Sequence, residues 1–152
     1  MKNVAILGST GSIGTQALQV IESNPELFSV ELLTAQNNWK LLVSQALKYQ
    51  PNAVVIGNDK YYVNVKSALE KTDIKIFAGK NSIADCVRSA QVDMVLVALV
   101  GFAGLEPTIS AIKAGKTIAL ANKETLVVAG ELISELAMEH KASVLPVDSE
   151  HS

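Results

Sequence analysis

Three glycines spaced three residues apart, in the segment GSTGSIG (residues 8–14), are the first residues whose types and spacing suit a particular chemistry. Glycines let a backbone approach a pyrophosphate closely, and the free N–H groups at the start of a following helix offset its negative charge. The spacing differs from the G-x-G-x-x-G of many dinucleotide-binding folds. Because the segment lies between a strand-like and a helix-like stretch, it predicts a nucleotide phosphate loop, with a tight packing turn as the alternative.

A second signal is the absence of an acidic residue after the second predicted strand, where the chain reads Ala35-Gln36-Asn37-Asn38. An NAD site usually has Asp or Glu at this place, which bonds the ribose 2′-hydroxyl and would repel a 2′-phosphate. The amides of these residues can donate hydrogen bonds to a phosphate. This segment therefore favours NADP over NAD, and the alternative is that the amides only cap the next helix.

Lys123 is a cation at the predicted start of a helix, where the helix dipole is already positive. Its neighbours obey the local rules, since Asn122 is a suitable N-cap and Glu124 suits the first turn. A residue that breaks a local rule often marks a functional site. Lys123 is therefore either functional or a solvated surface lysine.

Asp148 and Glu150 follow the last predicted strand and are two residues apart. In an extended segment such residues point to the same side, so both carboxylates can approach one hard cation such as Mg²⁺ or Mn²⁺. Binding sites in open α/β sheets lie at this end of the strands. The alternative is that the Asp-Ser-Glu segment is a solvated turn.

The elements that must position these residues alternate along the chain between short apolar runs and segments with helical periodicity. This alternation predicts an α/β fold, a doubly wound, mostly parallel sheet (Rossmann-like) with helices on both faces. Strands are predicted at residues 3–7, 30–34, 53–56, 75–77, 94–98, 117–120 and 144–147, and helices at 12–23, 39–49, 59–70, 82–90, 106–114 and 123–140.

Length and composition limit the classes of protein that this chain can belong to. With 152 residues, 49% hydrophobic and 18% charged, it has enough apolar material for one core, and its net charge of −2 argues against a nucleic-acid partner. Apolar runs are too short to span a membrane, and the N-terminus resembles no leader peptide. Cys86 is the only cysteine and has no basic neighbour to activate it, so we expect a reducing, cytoplasmic location and no thiol nucleophile.

With these segments side by side, the sequence resembles the 1-deoxy-D-xylulose 5-phosphate reductoisomerase family. Four stretches in the same order and spacing carry the resemblance: ILGSTGSIG (6–14), VGFAGLEPT (100–108), ALANKETLV (119–127) and LPVDSEH (145–151). The resemblance implies that residues 1–147 are an NADPH-binding Rossmann-like domain. It also implies that residues 148–152 are the first residues of a truncated catalytic region.

The resemblance further implies roles for individual residues. It implies NADPH and a divalent metal (Mg or Mn) as cofactors, a small phosphorylated sugar as substrate, and a homodimer for the full-length protein. Lys123 and Glu150 would be catalytic, and Lys123, Ser149 and Glu150 would contact the substrate. Asp148 and Glu150 would be the metal ligands. The cofactor-binding residues would be Thr10, Gly11, Ser12, Ile13, Asn38, Asn122 and Glu124.

One departure from the family concerns the end of the second strand, where the family commonly has Ala-Gly-x-Asn and this chain has Gln36 in place of the glycine. A side chain there could narrow the pocket for the 2′-phosphate. Two other functions also fit the glycine loop: an NADP-dependent reductase of the semialdehyde-dehydrogenase type, and a non-enzymatic nucleotide-sensing domain.

Overall fold

Apolar runs of four to eight residues form seven parallel strands in the computed structural model, which describes residues 1–121 and 123–147. Runs such as Val-Ala-Ile-Leu suit this sheet because both of its faces are covered along most of its width. The strands are β1 (Lys2–Leu7), β2 (Phe28–Ala35), β3 (Ala53–Ile56), β4 (Lys75–Ala78), β5 (Met94–Val97), β6 (Thr117–Leu120) and β7 (Ser143–Pro146).

Amphipathic helices connect the strands, as parallel pairing requires. They are α1 (Ser12–Ser23), α2 (Trp39–Tyr49), α3 (Tyr62–Ala68), α4 (Lys80–Cys86), α5 (Leu105–Lys113) and α6 (Lys123–His140), with a short 3₁₀ turn at Asp59–Tyr61 before α3. Within the described residues, no helix has the length and apolar character needed to cross a membrane.

The strand order is β4-β3-β2-β1-β5-β6-β7, and every neighbouring pair is parallel. The chain therefore builds outwards from β1 to one edge and then returns to the middle to place β5 on the other side of β1. This reversal creates a crevice at the carboxyl ends of β1 and β5, the position where open α/β sheets bind ligands. The doubly wound α/β fold predicted from the sequence is confirmed.

Alternate residues of the central strands point into two separate cores, as the two-residue period of a strand demands. Val4 and Ile6 of β1 face the first core, whose helical residues come from α1, α2 and α3. Ala5 and Leu7 face the second core, with helical residues from α4, α5 and α6. Both cores rest on the same strand, so the residues that follow Leu7 start from a rigid support.

Most predicted element boundaries agree with the structure to within two residues, and the exceptions have local causes. The helix predicted over residues 59–70 is interrupted because the Asn58 side chain accepts a hydrogen bond from the Lys60 N–H, which caps a 3₁₀ turn before α3 begins. The helix predicted to reach residue 90 ends at Cys86, because beyond Val87 the N–H groups of Arg88 and Ser89 bond three residues back and no longer four. Helix α6 has the predicted bounds but is kinked at Ala129, whose φ of −123° and ψ of 17° are not helical.

Candidate functional site

The glycine segment leaves β1 through two backbone positions that exclude a side chain. Gly8 has a φ of +83°, and a Cβ there would lie 2.9 Å from the carbonyl oxygen of Ala98. A Cβ on Gly14 would lie 2.3 Å from the Gly8 oxygen. Glycine is therefore required at both ends of the segment, which turns sharply between β1 and α1.

Helix α1 starts directly after this turn and presents its amino terminus at the carboxyl end of β1. Gly11 is the N-cap residue and, being glycine, offers no side chain to accept the first N–H groups of the helix. Gly11 and Ser12 are exposed, and Thr10 and Ile13 are half-buried. N–H groups in this arrangement favour an anion such as a phosphate.

The loop after β5 lies against the glycine segment. The Ala98 N–H extends the pairing of β5 with β1 by donating to the Leu7 oxygen at 2.9 Å. Further along this loop, Gly101 has a φ of +63° and its N–H donates to Oε2 of Glu124, at 3.0 Å. The structure thus brings together the loops after β1 and β5 and the first turn of α6.

The polar residues after β2 are held by short-range hydrogen bonds. Oδ1 of Asn38 accepts the Leu41 N–H at 3.3 Å, so Asn38 is the N-cap of α2. Oδ1 of Asn37 accepts from Nδ2 of Asn58, which follows β3, at 2.8 Å. In both residues the carbonyl oxygen is engaged, while an amide NH₂ group remains a donor. Asn38 therefore caps the next helix, and its NH₂ group can still donate to a ligand.

Gln36 departs from the pattern of the family, and its side chain lies across Gly57 of the neighbouring loop. A Cβ on Gly57 would lie 2.1 Å from Oε1 of Gln36, so the glycine provides the space that this side chain occupies. The backbones are joined as well, because the Gly57 N–H donates to the Ala35 oxygen and the Asn58 N–H donates to the Gln36 oxygen.

A buried polar cluster beneath the glycine segment was not predicted from the sequence. The Ser9 hydroxyl donates to Oε1 of Gln45 at 2.8 Å, and Nε2 of Gln45 donates to the Ser9 carbonyl oxygen, also at 2.8 Å. Thr34 binds the same segment, since its hydroxyl oxygen accepts the Gly8 N–H and its carbonyl oxygen accepts the Ser9 N–H. The feature of the sequence that could have indicated this cluster is Gln45, a polar residue on the same buried face of α2 as Leu42 and Ala46.

Several residues predicted to be functional lie outside the described part of the chain. These are Asn122, the side chain of Lys123, and Asp148, Ser149 and Glu150. Among the described residues, no group of three His, Cys, Asp or Glu side chains is placed to hold a metal ion.

Cys86 is half-buried at the end of α4. Burial, and to a smaller extent the neighbouring Asp85 carboxylate, raise the pKa of its thiol. A raised pKa keeps the thiol protonated at neutral pH, which is the opposite of what a nucleophile needs.

Comparison with known proteins agrees with this geometry. The sequence profile of 1-deoxy-D-xylulose 5-phosphate reductoisomerase matches residues 4–130. A protein of that name from Bacteroides fragilis is 59% identical over 151 residues, covering 99% of this chain and 39% of the relative.

Several solved structures align over 99% of the chain. The reductoisomerase of Zymomonas mobilis in complex with NADPH has a TM-score of 0.92 at 40% identity, and 39% of it is covered. A DOX-P reductoisomerase in complex with NADPH, fosmidomycin and magnesium has a TM-score of 0.93 at 36% identity, with 37% covered. The chain thus spans well under half the length of the proteins it matches, and it belongs to the 1-deoxy-D-xylulose 5-phosphate reductoisomerase family.

Proposed function

We propose that this chain is the NADPH-binding part of an enzyme that converts 1-deoxy-D-xylulose 5-phosphate to 2-C-methyl-D-erythritol 4-phosphate. The observation that carries the proposal is the glycine segment, which ends in the uncapped start of α1 at the carboxyl ends of β1 and β5. This is where a doubly wound sheet binds the pyrophosphate of a dinucleotide. Support comes from a relative whose structure contains NADPH, fosmidomycin and magnesium.

The residues of the glycine segment fit a pyrophosphate. Thr10, Gly11, Ser12 and Ile13 form the turn and the first helical positions. The Gly11 N–H already donates to the Gly8 oxygen at 3.3 Å, so the N–H groups of Thr10, Ser12 and Ile13 would bind the phosphate oxygens, and Gly11, which has no side chain, would let the phosphate approach closely. Asn38 begins α2 beside the end of β2, where the ribose 2′-phosphate would lie, and its NH₂ group would donate to it.

The loop after β5 and the start of α6 would complete the cofactor site. Glu124 already joins these two segments through its bond to the Gly101 N–H. We assign Glu124, and Asn122 two residues before it, to the nicotinamide side of the site, because the adenosine side lies at β2.

The remaining assignments concern the reaction. When bound, NADPH supplies the hydride and the divalent cation supplies a Lewis acid for the substrate carbonyl. Asp148 and Glu150 would hold the cation, Ser149 and Glu150 would contact the substrate, and Lys123 would stabilise the developing oxyanion. The chain covers 39% of its relative from Bacteroides fragilis, and we expect it to be inactive alone.

For the full-length protein we propose a homodimer that acts on a small phosphorylated sugar in the cytoplasm. The prediction that neither nucleic acid nor membrane is a partner rests on the net charge of −2 and on the short apolar runs.

Cofactor titration tests the proposal. Isothermal titration of the 152-residue chain should show tighter binding of NADPH than of NADH, because residues 35–38 include no carboxylate to repel the 2′-phosphate and Asn38 offers it an NH₂ group. Equal affinities or a preference for NADH would refute the NADP assignment, and binding of neither would refute the cofactor site.

A further inference from the structure

We propose that Gln45 is a positioning residue that holds the glycine segment in the shape required by the cofactor pyrophosphate. The inference rests on the proposed NADPH-binding function and adds to it a residue on α2, outside the loop that contacts the phosphates. Its basis is the pair of hydrogen bonds between Gln45 and Ser9.

The side-chain amide of Gln45 binds Ser9 at two points. Its oxygen accepts the Ser9 hydroxyl and its NH₂ group donates to the Ser9 carbonyl, each at 2.8 Å. The Ser9 hydroxyl also lies 3.3 Å from the Thr34 oxygen, but it has one proton, and the shorter approach to Gln45 is the stronger bond. Two bonds fix both the side chain and the peptide plane of Ser9.

Burial makes this pairing specific. Ser9 is 0% exposed and Gln45 is 6% exposed. If either residue lost its partner, the remaining polar group would be buried without a hydrogen bond, which destabilises the folded chain. Gln45 lies between the core residues Leu42 and Ala46 on α2, where an apolar side chain would be expected from helical periodicity alone. An amide at a core position is explained by what it binds, and in the described part of the chain both hydrogen bonds of the Gln45 amide go to Ser9, the second residue of the phosphate loop.

The consequence is an effect on affinity that does not depend on the type of cofactor. Fixing Ser9 holds the turn that leads to residues 10–13, so less conformational freedom is lost when a pyrophosphate binds. NADPH and NADH share the pyrophosphate and differ only at the ribose 2′ position. Loss of the Gln45 bonds should therefore weaken both cofactors by the same factor.

The test compares Gln45→Met, which keeps the length of the side chain, with wild type in titrations of the 152-residue chain with NADPH and NADH. We expect a loss of about tenfold for each cofactor, with their affinity ratio unchanged. Ser9→Ala, a milder change that removes only the hydroxyl, should give a smaller loss. The double variant should be no weaker than Gln45→Met, because both changes remove the same contact.

Val65→Ala is the matched control, because Val65 is fully buried in the same core but lies on α3, which contacts the edge strand β4. It should lower the thermal midpoint without changing either affinity. If Gln45→Met and Ser9→Ala bind both cofactors like wild type, or if Val65→Ala weakens binding as much as they do, Gln45 is only a core residue. If the wild-type chain binds neither cofactor, the proposed function itself fails, and this inference fails with it.

Discussion

At the scale of single residues, Gly57 determines where the side chain of Gln36 lies. In Gly57→Ala the new Cβ would take the place of the Gln36 amide, 2.1 Å away, and the flexible side chain would move off its neighbour. Because Gln36 directly follows β2, the displaced side chain would enter the region proposed for the 2′-phosphate. We expect NADPH affinity, measured by titration, to fall about tenfold, while NADH affinity changes less.

Two further variants separate this effect from a general loss of stability. Gln36→Ala combined with Gly57→Ala should restore NADPH binding, because the Gln36 amide that the new Cβ would displace is no longer present. Gly130→Ala is the control substitution, since a Cβ at Gly130 meets no atom within 4 Å. Weak binding by the double variant would show that Gly57 matters for another reason.

The thiol of Cys86 gives a second prediction at this scale. Since burial raises its pKa, less thiolate exists at a given pH in the folded chain than in the unfolded chain. The rate of reaction with a disulfide reagent at neutral pH should therefore be lower in the folded chain than in the unfolded chain. Its rise with pH should also have a higher midpoint than in denaturant. Equal rates in both states would restore Cys86 as a candidate nucleophile.

At the scale of elements, Glu124 connects the loop after β5 to α6. Its carboxylate accepts the Gly101 N–H at 3.0 Å across an exposed part of the site. Glu124→Ala removes this acceptor, and at about 1 kcal/mol for such a bond we expect about fivefold faster hydrogen exchange in residues 98–104. In Glu124→Gln, which keeps an acceptor oxygen, these residues should exchange at a rate between those of wild type and Glu124→Ala. Unchanged exchange in Glu124→Ala would mean that the bond contributes nothing to the order of the loop.

At the scale of the whole molecule, the proposed metal site and the cofactor site occupy different segments. In the full-length protein, Asp148→Asn or Glu150→Gln should abolish metal-dependent turnover, because a carboxylate ligand is lost. NADPH affinity should be nearly unchanged, since the cofactor is assigned to residues that follow β1, β2 and β6. Steady-state kinetics and cofactor titration of the same variants measure both quantities.

The 152-residue chain provides the complementary measurement. Two carboxylates leave most of the coordination shell of Mn²⁺ to water, so we expect a dissociation constant no tighter than about 10⁻⁴ M. Tight binding by this chain would show that the site needs no further ligands, and active full-length variants would show that Asp148 and Glu150 are not ligands at all.

The sequence alone determined the fold class and most strand and helix positions, because these follow from local patterns. The run Val4–Leu7 identifies a strand buried on both faces, and the glycines of residues 8–14 mark the turn that follows it. The tertiary structure changed only the bounds and the straightness of a few helices: the cap from Asn58 replaces the start of one with a 3₁₀ turn, and α6 is kinked at Ala129.

Only the tertiary structure revealed which distant residues support the candidate site. Gln45 lies 36 residues from Ser9, and the two meet because α2 packs its buried face into the core beside β1. Gly57 and Gln36 meet because β2 and β3 are parallel neighbours whose carboxyl ends lie side by side. Sequence periodicity reports which face of a helix is buried but not what that face meets across the sheet. The identity of the neighbour depends on strand order, and strand order is set by the packing of the whole chain.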